Sequence, residues 1–333
     1  MNNRVNDKKR KILICSLGSI GTYYLNLIKK KWPETRLSVL RSGKGGERDE
    51  EMLVENVFKI KEEAISWNPD MCIIASPASF HLSQSIFFAN KNIPLLIEKP
   101  IGIPFQSQKT WESLVMFSEK IPISIAYIFR SHPAAKFLKS QLKKNKIGKI
   151  IEAEIYCGSW LPSWRPNQDY KKSVSANRNL GGGVLLELSH EIDLALWLFG
   201  ELSIINAHIK NSGLLDIDVE DQAYLLLSDL NGAVIDLRLN FCTIRNRRMI
   251  RTKGTQGEIF WDMNEGILTI DNFDGEKEII NFKYSKDDLF EIQLESFFNS
   301  LDSSENELCK VKDALSVLKI IEQSFKINDH NKK

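Results

Sequence analysis

Lys11-Ile12-Leu13-Ile14-Cys15-Ser16-Leu17-Gly18-Ser19-Ile20-Gly21 decides the fold of the amino-terminal half. Its apolar start predicts a buried strand, its serine and glycine residues predict a turn, and the following Thr22 to Lys31 predicts an amphipathic helix. A glycine in such a turn lets the backbone approach a pyrophosphate, and the helix start favours its negative charge. We therefore expect this turn to bind a dinucleotide cofactor through Gly18, Ser19, Ile20 and Gly21. Ser16 departs from the pattern because it stands where the first glycine is expected, and a plain helix-capping turn is the alternative.

A second strand follows the helix and ends in a basic loop. Leu37 to Leu40 is the strand, and Arg41-Ser42-Gly43-Lys44 stands where an acid would normally hold the ribose hydroxyls of NAD. An arginine, a serine and a lysine suit a 2′-phosphate, so within the NAD(P) class of cofactors Arg41 and Ser42 favour NADP. The alternative is a solvated basic loop that binds no ligand.

Strands and helices continue to alternate up to the strand Ile121 to Phe129. Strands separated by helical patterns of this length predict an α/β fold, a doubly wound parallel sheet of the Rossmann type, over residues 1–130. Two strands end in short polar turns, Ser76-Pro77 and Glu98-Lys99-Pro100. Because the carboxyl ends of parallel strands meet at one edge of the sheet, we expect both turns beside the glycine turn, near the nicotinamide. The alternative for Lys99 is an ordinary exposed lysine at a strand end.

Residues 131–333 are expected to form a second, α+β domain. Successive strands between Ile204 and Phe282 are joined by short turns and predict a large, mainly antiparallel sheet. The sheet face that helices leave uncovered predicts a homodimer or homotetramer. Four arginines cluster in one strand segment, where they form either a site for an anionic substrate group or a solvated strand edge: Arg245, Arg247, Arg248 and Arg251.

A long polar and aromatic loop, Cys157 to Leu180, opens this second half. Its tryptophans argue against disorder, and aromatic rings with charged neighbours suit a hydroxylated sugar. Trp160, Trp164 and Arg165 are therefore candidates for substrate contact. The alternative is a surface loop packed for subunit contact.

Gly181 to Gly200 predicts one helix that glycines open and a glycine stops. Glu187, His190 and Asp193 recur every three residues, which places them on part of one face. A histidine in such a helix is often a satisfied core residue. However, the glycine run lets the helix start lie close against a ligand, so His190 and Asp193 are candidates for substrate contact. No metal is expected, because no cysteine or second histidine joins them.

Composition excludes several classes of function. The 333 residues carry 45 Lys and Arg against 43 Asp and Glu, a net charge of +2, so nothing global indicates a nucleic-acid partner or a membrane surface. The start of the chain lacks a signal-peptide pattern, and a cytoplasmic protein is expected. The five scattered cysteines are expected to be buried free thiols rather than disulfides or zinc ligands.

Together these motifs resemble the glucose-fructose oxidoreductase and inositol dehydrogenase (Gfo/Idh/MocA) family of NAD(P)-dependent sugar oxidoreductases. The resemblance rests on four motifs: the glycine turn, Ala75 to His81, Glu98-Lys99-Pro100, and Gly181-Gly182-Gly183 followed by His190 and Asp193. It implies that Lys99 and His190 are the catalytic pair.

The resemblance also implies supporting roles and shows one departure. Residues of the two polar turns are expected to support the cofactor pocket, namely Ser76, Pro77, His81, Glu98 and Lys99. The family usually has an aspartate four positions before the histidine, where this chain has Leu186. Glu187 is the nearest acid and the candidate catalytic replacement.

The expected function is an NAD(P)-dependent oxidoreductase that transfers hydride between a nicotinamide cofactor and a secondary alcohol or ketone. The carbohydrate substrate is a sugar, a sugar acid or a nucleotide sugar. His190 is expected to take the hydroxyl proton, while Lys99 binds the same oxygen and stabilises its developing charge. Two alternatives stay open: an NAD-dependent glycoside hydrolase on the same fold, and a non-catalytic cofactor-binding sensor.

Overall fold

The computed structural model describes residues 9–43, 46–303 and 307–331. These residues form two compact units, each with its own sheet. The first unit holds the described residues up to Gly102, together with Gln106–Tyr127 and Lys286–Ala314. The second holds Ile103–Phe105, Ile128–Ser285 and the chain from Leu315 onward. Among the described residues, no helix is both long and apolar enough to cross a membrane.

The first unit opens with the predicted alternation of strands and helices. In chain order its elements are β1 (Lys11–Cys15), α1 (Ser19–Lys31), β2 (Arg36–Leu40), β3 (Asn56–Phe58), α2 (Lys61–Ser66), β4 (Met71–Ile74), α3 (Ala78–Ala89), β5 (Leu95–Ile97), α4 (Gln108–Ser118) and β6 (Ile123–Ile125). These strands are parallel, in the order β6-β5-β4-β1-β2-β3. Ile12, Leu13 and Ile14 are fully buried, as expected of a parallel sheet with both faces covered. The predicted doubly wound sheet is confirmed.

The second unit is built on a larger sheet. Its elements are α5 (Pro133–Lys143), β7 (Ile150–Trp160), α6 (Val184–Glu187), α7 (Ser189–Phe199), β8 (Leu202–Lys210), β9 (Gln222–Asp229), β10 (Val234–Asn240), β11 (Cys242–Gly254), β12 (Gly257–Asp262), β13 (Ile267–Asn272) and β14 (Lys277–Asn281). The order is β14-β13-β12-β11-β7-β10-β9-β8, and neighbours are antiparallel except β7 and β10. Helices α6 and α7 lie on one face of β10, whose Ile235, Leu237 and Leu239 are buried. The predicted mainly antiparallel sheet is confirmed.

The end of the chain departs from the predicted domain boundary. Its elements are α8 (Lys286–Asp302), β15 (Cys309–Lys310) and α9 (Val311–Asn331). Strand β15 pairs antiparallel with β6 and becomes the edge of the first sheet. Phe290 of α8 packs edge-on against Tyr23 and Tyr24 of α1, at 4.7 and 5.2 Å between ring centroids. The predicted assignment of all of 131–333 to the second domain therefore differs from the structure, because α8 and β15 bury their apolar surface in the first unit.

The predicted single helix from Gly181 to Gly200 is two helices. Leu188, with φ −100° and ψ 26°, separates α6 from α7. Glu187 is the last residue of α6, whereas His190 and Asp193 belong to α7. The regular face predicted from their three-residue spacing is therefore interrupted between Glu187 and His190.

The glycine turn after β1 combines a strained residue with a close approach. Ser16, in the position where a glycine was expected, has φ +83°, which an L residue seldom adopts. Its amide N–H donates to the Leu40 carbonyl at 2.9 Å, which ties the turn to the end of β2. A Cβ placed on Gly21 would lie 2.0 Å from the Ser16 carbonyl oxygen, so α1 can start here only with a glycine at that position.

Ser16→Gly is expected to raise the free energy of unfolding by about 0.5–1 kcal/mol, because glycine adopts a positive φ without steric cost. The gain is partly offset because glycine loses more backbone entropy on folding than serine does. Gly21→Ala is expected to lower it by about 2 kcal/mol or more, since the new methyl group overlaps the Ser16 carbonyl. Denaturant unfolding of both variants beside the wild type measures the two changes. A destabilised Ser16→Gly variant would contradict the strained conformation.

Candidate functional site

The start of α1 in the first unit suits an anionic group. No side chain caps this helix, its first turn carries no acidic residue, and its last turn holds Lys29, Lys30 and Lys31. The helix dipole therefore meets no negative charge from its own first turn, where partial positive charge accumulates. A Cβ added to Gly18, at the N-cap, would overlap no atom of the described chain, since its nearest neighbour is Ser16 Oγ at 3.8 Å, an ordinary van der Waals contact. These features fit the pyrophosphate of a dinucleotide at the predicted residues from Gly18 to Gly21.

His81 joins the two polar turns of the first sheet. Its Nδ1 lies 2.7 Å from the Pro100 carbonyl oxygen and its Nε2 lies 2.7 Å from the Ser76 carbonyl oxygen. The ring is buried, which lowers the pKa of His81, while the two carbonyl groups act in the opposite direction. Ser76 also donates its hydroxyl to Gln84 at 2.7 Å. His81 therefore holds the turns that carry Ser76 and Lys99 in place.

Glu98 anchors the backbone that leads into Lys99. The carboxyl group is 8% exposed and accepts hydrogen bonds from the Tyr24 hydroxyl at 2.7 Å and the Lys99 amide at 3.1 Å. Gln293 Nε2 donates to the Tyr24 hydroxyl at 2.9 Å. Burial raises the pKa of Glu98 and holds that of Tyr24 well above its usual range. The structure thus places Glu98 in the core next to Lys99, where it supports the turn, and its part in the cofactor pocket stays a prediction.

Tyr24 and Gln293 are functional candidates that sequence reasoning missed. Tyr24 looks like one more apolar position of α1, and Gln293 lies 269 residues beyond it along the chain. No local pattern links a glutamine in α8 to a strand end near residue 98.

Lys99 itself is half-buried and precedes Pro100 through a cis peptide bond.

The basic corner after β2 is partly neutralised. Arg41 Nη1 forms an ion pair with Glu51 Oε1, and Arg41 Nη2 donates to the Gly46 carbonyl at 2.6 Å. Ser42 is exposed, and Lys44, which the sequence placed in the same corner, lies outside the described residues. The guanidinium that was predicted to meet a 2′-phosphate therefore already has a carboxylate partner.

His190 of the second unit sits in an aromatic and charged setting. It is half-buried, and its ring lies edge-on to Phe129 with 5.1 Å between centroids and an interplanar angle of 79°. The Arg248 guanidinium carbon lies 4.6 Å from the centroid of the same Phe129 ring. Arg248 Nε is 2.6 Å from a carboxylate oxygen of the buried Glu191. Phe129 thus packs against both groups and limits the orientations open to the imidazole.

Asp193 has a different environment from the one predicted. It is 1% exposed, and Arg130 holds it through Nε at 3.1 and 3.0 Å and through Nη2 at 2.7 Å. A bidentate guanidinium satisfies both carboxylate oxygens. Asp193 thus forms a buried ion pair that fixes α7 to the Ile128–Ser131 turn, and its contact with a substrate stays a prediction.

Glu187, by contrast, is half-buried at the end of α6. Because the backbone breaks at Leu188, Glu187 belongs to a different helix from His190 and Asp193. Among the described residues, no group of three or more His, Cys, Asp or Glu side chains could hold a metal ion.

The glycine run packs against the protein's own chain. A Cβ on Gly182 would lie 2.5 Å from the Val174 carbonyl oxygen, and a Cβ on Gly183 would lie 2.3 Å from Glu220 Oε1. Gly183 also has φ +108°, in the region that favours glycine. The run was predicted to let the helix start approach a ligand, but these two glycines make room for the preceding loop and for Glu220.

The polar loop of the second unit is ordered by short 3-10 turns at Leu161–Ser163, Tyr170–Lys172, Val174–Ala176 and Arg178–Leu180. Three side chains of the loop bond to the 215–218 segment. The Tyr170 hydroxyl donates to the Leu215 carbonyl at 2.9 Å, and Lys171 Nζ donates to the Asp216 carboxylate at 2.6 Å. Arg178 donates to the Asp218 carbonyl at 2.7 Å. Sequence reasoning missed this supporting segment, because nothing in its own pattern names its partners.

The three predicted sugar contacts in this loop differ in their surroundings. Trp164 donates its indole N–H to Ser159 at 2.9 Å and packs edge-on against Phe241 at 5.3 Å between centroids. Trp160 is half-buried at the end of β7. Arg165 is half-buried, and its guanidinium has no hydrogen-bond or ion-pair partner in the part of the chain that the structure describes. Trp164 is thus already engaged by the fold, while Arg165 keeps its donors.

The arginine cluster does not form one anion site. Arg248 pairs with Glu191, and Arg251 lies 3.9 Å from Glu154 and 3.3 Å from Glu258. Arg247 stacks over Tyr156 at 5.3 Å from the ring centroid, and Arg245 is exposed. The solvated strand edge does not describe the segment either, because β11 lies inside the sheet between β12 and β7 and the side chains of Arg248 and Arg251 form ion pairs.

A protein-family model matches more than half of the chain. Residues 139–332 match the family described as "Oxidoreductase family, C-terminal alpha/beta domain", which is Gfo/Idh/MocA. This chain belongs to the Gfo/Idh/MocA oxidoreductase family. The match covers more than half of the 333 residues, and the resemblance identified from the motifs is confirmed.

Curated relatives of this family member match only in part. Levoglucosan dehydrogenase of Pseudarthrobacter phenanthrenivorans is 25% identical over 223 residues, 59% of this chain and 56% of that protein. Inositol 2-dehydrogenase 2 of Saccharopolyspora erythraea is 25% identical over 173 residues, 51% of this chain and 47% of that protein. The chain thus spans about half the length of the curated relatives it matches.

The fold comparison extends over nearly the whole chain. The structure of a levoglucosan dehydrogenase in complex with NADH and levoglucosan aligns with a TM-score of 0.83 at 16% identity, over 96% of this chain and 97% of that one. At this identity the similarity concerns the fold. The two-sheet architecture is therefore that of the Gfo/Idh/MocA family.

Glu220 is a buried acid that sequence reasoning did not identify as a candidate. It is 6% exposed, its backbone carbonyl accepts from the Val184 amide at 3.0 Å, and its Oε1 accepts from the Leu185 amide at 3.3 Å. Burial raises its pKa to about 7, while the backbone amides of Glu220 itself and of Leu185, together with the charge of Arg178, act in the opposite direction. Glu220 therefore holds the start of α6, next to the segment that carries Glu187 and His190.

The titration of Glu220 predicts a loss of stability with rising pH. Its folded pKa of about 7 lies above the ordinary 4.5, so the folded state binds more protons between these values and the free energy of unfolding falls as pH rises through them. Glu220→Gln removes this fall and is expected to exceed the wild type at pH 8 by up to about 3 kcal/mol. Urea unfolding from pH 4 to 8 measures the difference, and parallel pH profiles for the two proteins would contradict it.

Proposed function

We propose that the protein is an NAD(P)-dependent oxidoreductase that transfers hydride between a nicotinamide cofactor and a secondary alcohol or ketone of a sugar, sugar acid or nucleotide sugar. Family membership carries the proposal, together with Glu98-Lys99-Pro100 at a strand end and His190 at the start of α7. Lys99, Glu187 and His190 are half-buried, whereas Glu98 and Asp193 are buried in structural bonds. Relatives named as levoglucosan and inositol dehydrogenases support the carbohydrate class.

In this proposal His190 takes the proton of the substrate hydroxyl as general base. Lys99 donates a hydrogen bond to the substrate oxygen and stabilises the negative charge that develops on it. When bound, the nicotinamide supplies the hydride acceptor or donor. Phe129 restricts the imidazole of His190, and Glu187 is proposed to assist the proton transfer from the end of α6.

The cofactor pocket uses residues of the first unit. The α1 start binds the pyrophosphate, and the turns that His81 joins line the nicotinamide end. The preference for NADP was predicted from Arg41, Ser42 and Lys44, and it stays a prediction. The ion pair of Arg41 with Glu51 weighs against it.

Lys99→Ala and His190→Ala are each expected to lower turnover by about 10²- to 10⁴-fold, the usual contribution of a general base or an oxyanion donor. Dinucleotide binding is expected to be retained in both variants, because neither substitution removes the α1 start that binds the pyrophosphate. A thermal-shift screen with NAD, NADP and a panel of sugars and nucleotide sugars first identifies substrates. Stopped-flow absorbance of the reduced nicotinamide then gives the turnover.

Lys91→Ala and His330→Ala are matched controls, since both positions are exposed and lie outside the proposed catalytic and cofactor sites. Near-wild-type turnover of the Lys99 or His190 variant would refute the catalytic assignment. Release of a monosaccharide without a net change in nicotinamide absorbance would favour the glycoside hydrolase alternative. Tight cofactor binding without turnover on the whole panel would favour the sensor.

We further propose that the chain forms a homodimer or homotetramer through the outer face of its larger sheet. That face mixes the side chains of Tyr224 and Val234, which are 41% and 36% exposed, with charges that pair among themselves. Those pairs are Asp236 with Arg238, Glu154 with Arg251, and Glu152 with Lys253. A face whose charges are internally matched can meet a copy of itself without leaving charges unpaired.

The double substitution Tyr224→Glu and Val234→Glu is expected to convert the oligomer to monomer, because each copy then brings new like charges to the shared face. Sedimentation velocity measures the mass. Leu230→Glu is the control, since Leu230 is also exposed but lies in the turn between β9 and β10. A monomeric wild-type chain would refute the assembly.

A further inference from the structure

A carboxylate occupies the basic corner that follows β2. Arg41 is the first residue after that strand, and its guanidinium is held by Glu51 and by the Gly46 carbonyl. The Arg41 and Glu51 side chains are 12% and 21% exposed. A pair that is mostly shielded from water keeps its geometry and its electrostatic effect better than a fully solvated one.

This pair lies beside the glycine turn. Cys15 of β1 and Leu40 of β2 are partners in the parallel ladder, and the Leu40 carbonyl accepts the Ser16 amide at 2.9 Å. The Arg41 amide donates to the Phe58 carbonyl of β3 at 2.8 Å, which fixes the backbone at that point. In a dinucleotide fold the end of the second strand faces the adenosine ribose, where an acid holds the hydroxyls of NAD.

Glu51 reaches this position from a separate turn. It belongs to the 3-10 turn Asp49–Leu53, ten positions after Arg41 in the chain, and its Oε1 accepts the Arg48 amide at 3.2 Å. The amide bond and the guanidinium together fix its carboxylate. The sequence has no acid directly after β2, and the fold places the carboxylate of Glu51 there instead.

We propose that Glu51 is the residue that selects NAD over NADP, an inference that rests on the proposed cofactor chemistry. The Glu51 carboxylate accepts hydrogen bonds from ribose hydroxyls as a strand-end acid does. A 2′-phosphate carries close to two negative charges near neutral pH. It would meet the carboxylate as a like charge and would find the Arg41 charge already matched. This proposal is the opposite of the NADP preference predicted from Arg41 and Ser42.

Glu51→Gln tests the inference, because the amide oxygen still accepts the Arg48 amide while the charge is removed. Kd values for NADH and NADPH are measured on the full chain by nicotinamide fluorescence. The wild type is expected to bind NADH at least about tenfold more tightly than NADPH, and the variant is expected to narrow that ratio by about tenfold or more. The gain should come from tighter NADPH binding, and adding Arg41→Ala should abolish it, since the freed guanidinium is its source.

Glu50→Gln is the matched control. Glu50→Gln removes the same charge from the same turn. Glu50 forms no ion pair with the described part of the chain. Three results would overturn the inference: a wild type that binds NADPH more tightly, a Glu51→Gln variant with an unchanged ratio, or an equal shift in Glu50→Gln. NADH binding with an unchanged ratio would overturn this inference alone, whereas a wild type that binds neither dinucleotide would overturn the proposed function with it.

Discussion

Burial of the central strands on both faces constrains the whole first unit. β4, β5 and the part of β1 after Lys11 consist of residues with almost no exposed surface, so polar side chains face solvent or a ligand where these strands end. Ser16, Ser76 and Lys99 follow those ends. The parallel ladder brings the three ends to one edge, and the chemistry proposed for this unit follows from that edge.

Buried carboxyl groups support this chemistry in three different ways. Glu98 receives a phenol hydroxyl and an amide, Asp193 receives a bidentate guanidinium, and Glu220 receives a side-chain hydrogen bond from one amide. Removing a carboxylate from water favours its neutral form unless a positive partner compensates. The pKa values of Glu98 and Glu220 are accordingly raised. Each of these acids holds a backbone segment next to a proposed functional residue, which separates the supporting acids from the half-buried Glu187.

Local periodicity explains how much of the fold could be predicted. The alternation of apolar strands with amphipathic helices identified the parallel sheet, and short alternating runs identified the antiparallel one. The break at Leu188 could not be predicted, because an uninterrupted helical pattern continues through it and the packing of α6 and α7 sets its backbone angles. Strand β15, with Cys309 and Lys310, is too short to carry a pattern, and its place beside β6 depends on pairing across most of the chain.

The sequence by itself determined the two kinds of sheet, the glycine turn, the strand end that presents Lys99 and the family. The sheets, the turn and the strand end depend on neighbours within about ten residues, whose spacing follows from helix and strand geometry. The family follows from the order of such local motifs along the chain. Only the tertiary structure decided which charges are matched: Glu51 with Arg41, Asp193 with Arg130, and Glu191 with Arg248. Electrostatic partners are fixed by distance in space and by the exclusion of water, and neither quantity is encoded in the local pattern of the chain.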